Sequence, residues 1–380
     1  MNVIESASRV IAERGLAGAD TPVLLMVSGG SDSTALAYIA RCLHMRGSLG
    51  QLAMLHVNHK LRGAAADGDA EFVGMLASQL QIPLFNCDIN ISALAKAEGG
   101  NIEAIARRER YKAAREALES LCRYAGVPVS EGRIFTAHTA DDRVENFYMR
   151  SIVGTGPGGF RSMLYLNGQV ARPLLEVGRQ DLRDFLQNAA GGSVPDLPAQ
   201  LVVRDEVGAL WREDATNEHT DRFRAFVRAN VVPRAKERNP KLLETLTRTM
   251  NLIADEDDML AAMTDDLMAR LVEWVQQVPG IAPDYDAGCS IAPEIAQQPL
   301  PLQRRMATRV LTLMLGADAR VETASVDAVL AAIEPAVDGS PARIKGGYVA
   351  NIQGDIAVSA NKRGIRLEPM LAFRARRNRL

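Results

Sequence analysis

Apolar residues in the first half of the chain occur in short runs, which alternate with longer stretches of helical periodicity. The short runs predict strands and the longer stretches predict amphipathic helices. Regular alternation of the two predicts an α/β fold, with a parallel sheet that is covered by helices and binds ligands at the carboxyl ends of its strands. The predicted strands are residues 23–27, 52–57, 83–87 and 133–138, and the predicted helices lie near 32–45, 67–81, 102–123, 141–153 and 179–188.

The pattern changes in the second half of the chain. Residues 191–198 are rich in Gly and Pro and predict an exposed loop, and from residue 220 to about 277 the pattern is helical with few breaks. The proline-rich stretch 280–301 predicts a linker. Beyond it, helices are expected at 302–315 and 323–333, and residues 346–360 alternate like a hairpin. We therefore expect a small α/β unit at the C-terminal end.

Composition narrows the class of protein without naming a function. The chain has 380 residues, of which 47% are hydrophobic and 24% charged, as in ordinary globular proteins of two or three domains. Its four cysteines lie far apart and form no C-x-x-C pair, which argues against a disulfide framework or a zinc ribbon and fits a reducing cytoplasm. No segment is long enough to span a bilayer, and the first residues do not resemble a signal peptide. We expect a cytoplasmic protein with no membrane partner.

The net charge of −2 does not by itself predict a polyanion partner. The distribution of charge is more informative, because the last seven residues hold four arginines and the stretch 222–248 is rich in Arg and Lys. A basic end of this kind is most often a solvated tail, and it favours nucleic acid contact only modestly.

The strongest candidate for chemistry is the loop between the first predicted strand and helix. A Ser- and Gly-rich turn that opens a helix surrounds a small concavity with backbone N–H groups, which suits a phosphate. It lacks the lysine and the spacing of a Walker loop. Asp32 is unusual in an anion site, but it is explained if Mg²⁺ bridges it to phosphate. The alternative is an ordinary capped turn. The candidate ligand-binding residues are Ser28, Gly29, Gly30, Ser31, Asp32 and Ser33.

A second candidate follows the second predicted strand, at residues 56–62 (HVNHKLR). His56 and His59 are three residues apart, which could suggest a metal site, but no cluster of further ligands accompanies them. Donors to a nucleotide or another anion are the preferred interpretation, with a purely structural role as the alternative.

A third candidate lies where the fourth predicted strand meets its helix. The strand ends at His138, and Asp141 and Asp142 stand in the first turn of the helix. Asp142 and Glu145 are three residues apart, so their carboxylates share one helical face. Acids at a helix start are commonly caps. Beside a phosphate-binding loop on the same sheet edge, however, they become candidates for holding Mg²⁺ or a cationic nucleophile.

The predicted helix at 102–123 carries Glu103, Arg107 and Arg110 near one face. This spacing is typical of a surface ladder of ion pairs. The arginines could equally bind a phosphate or a base edge.

Taken together, these motifs resemble those of the tRNA(Ile)-lysidine synthetases, a family of PP-loop ATP pyrophosphatases that cleave ATP between the α and β phosphates. The resemblance is specific over about residues 20–240 and weaker at 300–309 and 346–358. Besides the loop at 28–33 and residues 56–62, the matching pieces are 101–103 (NIE) with Arg107, Arg110 and Tyr111, 136–138 (TAH) with Asp141, Asp142 and Glu145, 150–156 (RSIVGTG), 172–175 (RPLL), and 211–217 (WREDATN) followed by Arg224, Arg228 and Pro233.

The chain departs from the family pattern at several positions. Thr139 stands where the family usually has a second histidine, and Asn146 where it has threonine. Ala215 replaces a usual proline, Ala225 replaces an asparagine, and residues 191–208 look like an insertion. The acids Asp32, Asp142 and Glu145 are retained, so activity is expected.

The resemblance implies a reaction in two steps. ATP adenylates the 2-carbonyl oxygen of the wobble cytidine in isoleucine tRNA with the anticodon CAU, and free lysine then displaces AMP. By this resemblance the cofactors are ATP and Mg²⁺, and the partners are that tRNA and lysine. A homodimer is compatible with the sequence, which does not determine the oligomeric state. The assigned roles are: catalytic, Asp32, Asp142, Glu145, Arg107, Arg110 and Arg224; ATP-binding, residues 28–33 with His56 and His138; metal-binding, Asp32 and Asp141.

On this basis we divide the chain into a PP-loop catalytic domain (1–215), a helical tRNA-binding domain (216–298) and a small α/β domain with a basic tail (299–380). Two other functions remain open. A PP-loop tRNA thiolase would also adenylate a base but would need reactive cysteines, whereas Cys42 and Cys122 fall in predicted helices and Cys87 ends a strand. A catalytically silent tRNA-binding paralogue is suggested by the departures at Thr139, Asn146 and Ala225.

Overall fold

The computed structural model describes residues 2–60, 64–213, 223–276, 282–316, 319–337 and 340–378, with the backbone alone at 64 and 65. These residues form two compact units, Met1–Ala254 and Asp255–Leu380. The division into three domains at 215 and 298 stays a prediction. Predicted features at 61–62 and 214–217 lie outside the described residues. Within the described part of the chain, no helix combines the length and the apolar character that crossing a membrane requires.

The first unit is the α/β unit that the sequence predicts. Each predicted strand and helix of the first 190 residues is found within a few residues of its expected bounds. Its elements are α1 (Val3–Glu13), β1 (Val23–Met26), α2 (Ser31–Met45), β2 (Leu52–Asn58), α3 (Ala64–Leu80), β3 (Leu84–Asp88), α4 (Ile91–Glu98), α5 (Ile102–Ala125), β4 (Arg133–Phe135), α6 (Ala140–Val153), β5 (Leu166–Asn167), β6 (Val170–Ala171), α7 (Arg179–Ala190), α8 (Phe223–Phe226), a π-helix (Val227–Val231), α9 (Val232–Arg238) and α10 (Leu242–Leu271), which continues into the second unit.

The sheet of this unit has the order β3-β2-β1-β4-β6-β5. All of its pairs are parallel except β5 with β6. The chain moves from β1 outward to β2 and β3, and then returns to the other side of β1 with β4. The strand order therefore reverses between β1 and β4, and a crevice for ligands is expected at their carboxyl ends.

Strand β1 is buried on both faces, as a central parallel strand must be. Val23 and Leu25 pack into the cluster that contains α1, α2 and α7, while Leu24 packs into the cluster that contains α5. The sheet is thus the middle of three layers. A smaller cluster joins Val144 of α6 to Val227, Val232 and Met250, so the segment after residue 222 is anchored beside the start of α6.

The second unit is built on an antiparallel sheet of order β11-β12-β13-β8-β7. One face packs against α11 and α12, and α13 covers part of the other face through Met370 and Phe373. Its elements are β7 (Val272–Trp274), β8 (Cys289–Ile291), α11 (Leu300–Leu315), α12 (Thr323–Leu330), β9 (Ile333–Glu334), β10 (Arg343–Ile344), β11 (Val349–Ile352), β12 (Ile356–Asn361), β13 (Gly364–Pro369) and α13 (Met370–Arg377).

The helices expected at 302–315 and 323–333 are present as α11 and α12. The hairpin expected at 346–360 is present as β11 and β12, which pair antiparallel. The linker predicted at 280–301 is wrong in its described part, because β8 lies there as an interior strand between β13 and β7. The helical pattern expected up to 277 ends earlier, at β7. Strands of three residues flanked by proline or glycine carry too little periodicity to be recognised.

Candidate active site

The loop after β1 is held by its own side chains. The hydroxyl of Ser33 accepts the N–H of Ser28 (3.1 Å) and donates to the carbonyl of Gly30 (3.1 Å). The hydroxyl of Ser31 donates to Oδ1 of Asp32 (2.9 Å). Gly29 has φ of +90°, in the left-handed region where glycine is favoured. These contacts give the turn a defined shape at the start of α2, as an anion-binding helix start requires.

A cavity of about 1130 Å³ opens over this loop at the carboxyl ends of β1, β2 and β4. It lies at the crevice expected from the strand order, and both the loop and residues of 136–138 line it. Of the predicted site residues, Ser28, Gly30, Ser31, Asp32, Ser33, His56, Arg110 and His138 line the cavity, whereas Gly29, Arg107, Asp141, Asp142, Glu145 and Arg224 do not.

The two predicted histidines lie on the cavity wall, and each has one ring nitrogen within hydrogen-bond distance of a neighbour. Nδ1 of His56 donates to the carbonyl of Val27 (2.9 Å), since a carbonyl can only accept. Nδ1 of His138 lies 2.9 Å from the hydroxyl of Thr136. Burial lowers the pKa of His138 to about 4, so its ring is neutral at physiological pH. Neither ring belongs to a group of three or more metal-ligand side chains among the described residues.

The carboxylates from the two strand ends converge on a single guanidinium, that of Arg179. This residue is the first of α7, which follows β6. Its Nε donates to Oδ2 of Asp32 (3.0 Å) and its Nη2 donates to Oδ1 of Asp142 (3.1 Å). Nη1 lies 3.7 Å from Oε1 of Glu145. Arg179 therefore connects the loop of β1 to the acids of α6.

Two further arginines reach the same acids from the segment anchored beside α6. Arg224 donates to Oδ1 of Asp142 (2.7 Å) and Oε2 of Glu145 (2.8 Å). Arg228 donates to Oε1 of Glu145 (2.8 Å). Arg228 lies in the π-helix, an irregular turn that is frequent at functional sites. We call Asp32, Asp142, Glu145, Arg179, Arg224 and Arg228 the acid–arginine cluster.

Burial and pairing act in opposite directions on the charges of this cluster. Burial alone would raise the pKa of Asp142, but the positive charges of Arg179 and Arg224 outweigh it and hold that pKa below its usual value. For Asp32 burial prevails and its pKa is raised, although Arg179 opposes the shift. The pKa of Arg179 is raised, because its carboxylate partners outweigh the effect of burial. The charge on Asp142 and the charge on Arg179 thus stabilise each other.

The capping residue Thr139 fixes the direction of Asp142. The N–H and the hydroxyl of Thr139 donate to Oδ2 of Asp142 (2.8 and 3.0 Å). This capping box leaves Oδ1 to face Arg179 and Arg224. The alternative interpretation of Asp142 as a helix cap is therefore correct for one oxygen, and the other oxygen is available to the cluster.

The two predicted metal ligands differ in how well they fit Mg²⁺. Asp32 borders the cavity, and its Oδ1 is contacted by the hydroxyl of Ser31. One carboxylate together with substrate phosphates is a common Mg²⁺ site in nucleotide enzymes. Asp141 accepts the N–H of Arg179 (2.7 Å) and Nζ of Lys236 (2.8 Å). Both acids thus have donors on both oxygens, since Oδ2 of Asp32 accepts from Arg179. They differ in that Asp141 does not line the cavity, which counts against its assignment as a ligand.

The predicted arginines of α5 are divided between cavity and surface. Arg110 lines the cavity, and its Nε is buried and makes no hydrogen bond. Arg107 is exposed, and its guanidinium carbon lies 5.0 Å from the centre of the Tyr111 ring. A surface role thus suits Arg107 better, and the ligand interpretation suits Arg110 better.

Sequence reasoning missed Arg179, the residue that joins the site together. A signal was available, because Arg179 begins the helix predicted at 179–188, shortly after the motif at 172–175. Its position went unrecognised because no strand was predicted before that motif. Strand β6 has only two residues, and its place beside β4 is what brings α7 to the crevice. Arg228 was noted in a motif, but no role was assigned to it.

Residues 4–196 match the family described as a PP-loop domain. The chain therefore belongs to the PP-loop family, in agreement with the loop and the sheet described above.

Curated relatives specify the group within that family. The tRNA(Ile)-lysidine synthase of Geobacter sulfurreducens is 30% identical over 86% of this chain and 62% of its own length. That of Thermus thermophilus is 30% identical over 88% and 55%, and that of Chlorobaculum tepidum is 33% identical over 66% and 67%. This chain belongs to the tRNA(Ile)-lysidine synthase family. It spans only a little more than half the length of the first two relatives.

Among solved structures, the U34-tRNA thiolase NcsA from Methanococcus maripaludis aligns with a TM-score of 0.45 and 14% identity, over 67% of this chain and 78% of that chain. Likeness at this level carries no argument about function.

Proposed function

We propose that this chain joins lysine to the wobble cytidine of isoleucine tRNA with the anticodon CAU, and so forms lysidine, AMP and pyrophosphate from ATP. The observation that carries the proposal is the convergence of the loop acid Asp32 and the helix acids Asp142 and Glu145 on Arg179 beside one cavity. The names of the relatives supply the substrate tRNA(Ile) and the product lysidine.

In the first step the 2-carbonyl oxygen of cytidine bonds to the α-phosphorus of ATP, and the α–β phosphate bond breaks. The backbone N–H groups of the loop and the start of α2 are suited to hold the phosphates while pyrophosphate departs. When bound between Asp32 and the phosphates, Mg²⁺ would supply positive charge to the leaving group. His56 and His138 on the cavity wall would add hydrogen bonds, and His138 would do so without adding charge.

In the second step the side-chain amine of lysine bonds to the activated ring carbon, and AMP leaves. Lysine arrives as an ammonium ion and must lose a proton before it attacks. Because its pKa is held low, Asp142 is better suited to binding the ammonium than to accepting its proton. We assign the proton to Glu145, which is 2% exposed at its side chain.

In this structure Arg224 is paired with Asp142 and Glu145, and Arg228 is paired with Glu145. An incoming ammonium would have to displace these guanidinium groups. Their side chains are 42% and 36% exposed, so they can turn toward solvent while the incoming ammonium replaces them as the partner of the buried acids. The same two guanidinium groups are suited to the carboxylate of free lysine or to the phosphate of the adenylate. We propose that they exchange partners when lysine binds.

The cysteines do not favour the thiolase alternative. Cys42, Cys122 and Cys289 are buried and Cys87 is half-buried. Burial raises the pKa of all four thiols, that of Cys42 to about 11. None of them lines the cavity, whose described lining contains no thiol. A reaction with external sulfide would not need them and is an outcome of the test below.

The test is the mass of the modified nucleoside. The protein is incubated with ATP, Mg²⁺, lysine and an unmodified CAU-anticodon transcript, and the RNA is then digested to nucleosides. A product heavier than cytidine by lysine less one water is expected, with one AMP for each product. A transcript with uridine at the wobble position should give neither.

Each other outcome contradicts the proposal in a different way. A thiolated nucleoside formed with sulfide in place of lysine would establish the thiolase. AMP release that does not depend on tRNA would indicate another ATP reaction. No AMP in the presence of tRNA and lysine would establish a silent tRNA-binding relative.

A further inference from the structure

Residues 191–213, which we call the strap, cross the outside of α2 and α3 before they reach the loop after β1. Val194, Leu197 and Val203 are buried in the main core of the unit. The N–H of Val203 donates to the hydroxyl of Tyr38 in α2 (2.8 Å). The exposed loop predicted at 191–198 is present, and only its Val194 and Leu197 are buried; these two residues anchor it to the core. The insertion at 191–208 stays a prediction.

The end of the strap is fixed by ion pairs of Arg212. Its Nε donates to Oδ1 of Asp69 in α3 (3.2 Å), and its Nη1 donates to Oδ2 of Asp205 within the strap (3.0 Å). The side chains of Asp69 and Asp205 are only 11% and 7% exposed. Asp205 is itself held by the N–H of Ala209 (2.7 Å), so at least one of the two partners of the guanidinium is fixed in place.

The backbone at Arg212 contacts the loop directly. The N–H of Arg212 donates to the carbonyl of Gly29 (2.9 Å), and the hydroxyl of Thr34 donates to the same oxygen (3.2 Å). A carbonyl oxygen has two lone pairs, and both are thus used. The side chain of Arg212 also packs over Gly29, with Cγ 3.5 Å from where a β-carbon would lie.

The direction of this carbonyl decides the direction of the next N–H. The peptide bond between Gly29 and Gly30 is planar and trans, so its C=O and N–H point opposite ways. With the oxygen of Gly29 held toward the strap and Thr34, the N–H of Gly30 is directed away from them, and Gly30 lines the cavity. The acceptor of this N–H, Oγ of Ser28, is 3.5 Å away, at the limit of hydrogen bonding.

We infer that Arg212 is a positioning residue, which acts with Thr34 to hold the Gly29–Gly30 peptide so that the N–H of Gly30 faces a phosphate of ATP. This inference rests on the ATP reaction proposed above. A peptide between two glycines has an unusually large choice of conformations, so its orientation must be imposed from outside the loop. The strap supplies this constraint.

The first test measures binding of ATP and of pyrophosphate to the full chain by calorimetry, together with the KM for ATP and for lysine. Arg212→Leu removes both ion pairs, so the backbone at 212 is no longer held in the position from which its N–H donates to the carbonyl of Gly29. We expect the dissociation constants for both phosphate ligands and the KM for ATP to rise about 10-fold, as for a misplaced binding group. The KM for lysine should stay unchanged, and Arg212→Lys should be intermediate.

The matched control is Arg204→Ala, since Arg204 is an exposed arginine of the same strap and donates to the carbonyl of Gly208. It should bind ATP as the parent does. Asp205→Asn keeps the side-chain oxygen that accepts from the N–H of Ala209, but it removes the negative charge that pairs with Arg212. This variant should weaken ATP binding, as Arg212→Leu does. This second variant gives the answer should Arg212→Leu fail to fold.

The second test is a double-mutant cycle with Thr34→Val, which removes the other donor to the same carbonyl. Because both donors act on one peptide, the double variant should lose less than the product of the two single fold-changes. Independent effects, or ATP binding by Arg212→Leu equal to that of the parent, would overturn the inference. Failure of the parent itself to bind ATP or pyrophosphate would instead contradict the proposed function.

Discussion

At the scale of single residues, the site is governed by how three carboxylates share three guanidinium groups. Asp142 and Glu145 are almost fully buried, and buried charges are tolerated only when they are paired. Arg179 meets this requirement for the acids of α6 and for Asp32 at once. The cluster is balanced in charge, so a cationic substrate group must displace one of the arginines.

Asp32→Ala should abolish AMP formation, with a loss of at least about 100-fold, because the variant removes the charge that would hold Mg²⁺ against the leaving pyrophosphate. AMP release is measured with tRNA and lysine present. The control is Asp184→Ala, which removes an exposed acid on α7 that accepts from Gln180. Full turnover by the Asp32 variant would remove this residue from the site.

His138 should make the protein less stable in mild acid. Burial lowers its pKa from 6.5 to about 4, so between these values the unfolded chain takes up a proton that the folded chain does not. The free energy of unfolding should therefore fall as the pH falls from 6.5 to 4. His138→Asn should lack this part of the slope, a difference of about 3 kcal/mol. Denaturation midpoints of both proteins across this range are the measurement, and identical slopes would contradict the assignment.

At the scale of elements, the start of α6 is fixed by its own cap and by the segment that packs against it. The Thr139 capping box sets its first turn, and Val144 packs against Val227 of the π-helix. These contacts place Arg224 and Arg228 on either side of Glu145. The geometry at Glu145 is thus a property of two packed elements rather than of either sequence alone.

Glu145→Gln should lower kcat of the lysine-dependent step by about 100-fold or more, because the variant removes the carboxylate to which we assign the proton of lysine. Lysidine formation is measured at saturating ATP, tRNA and lysine. Glu237→Gln on α9 is the matched control, because that side chain is exposed. If kcat of the Glu145 variant equals that of the parent, Glu145 does not accept this proton.

At the scale of the whole molecule, the basic C-terminal end is a helix with two different faces. Arg376 of α13 points to the sheet and donates to the buried carboxylate of Glu368 through Nε (3.1 Å). Arg374 and Arg377 are exposed and lie three residues apart, on one stripe with the exposed Leu371. The solvated tail expected at the C-terminal end is therefore, up to Arg377, a helix that packs on the sheet and exposes two arginines.

We predict that Arg374 and Arg377 contact phosphates of the tRNA. Replacing both with alanine should weaken tRNA binding several-fold and reduce the slope of log K against log salt by about 1 for each lost contact. Leu371→Ala, on the same stripe, should leave the slope unchanged. Binding is measured by titration at several salt concentrations, and an unchanged slope for the double variant would contradict the contact.

The features that the sequence determined are those encoded between near neighbours. The turn at 28–33, the helix start at Thr139 and the β/α alternation all follow from residues within a few positions, because backbone propensity, capping and periodicity are local effects. They predicted the sheet, the loop and the acids of α6. The same local reasoning failed at β7 and β8, whose strands are short and are stabilised by distant partners.

Only the tertiary structure decided which charges meet. Arg179 reaches Asp32, 147 positions away in the chain, because β6 pairs with β4 and carries α7 to the crevice. Arg212 reaches Gly29 because the strap packs over α2 and α3. Contacts over such separations depend on strand order and on packed surfaces, to which many residues contribute weakly, so no local pattern records them.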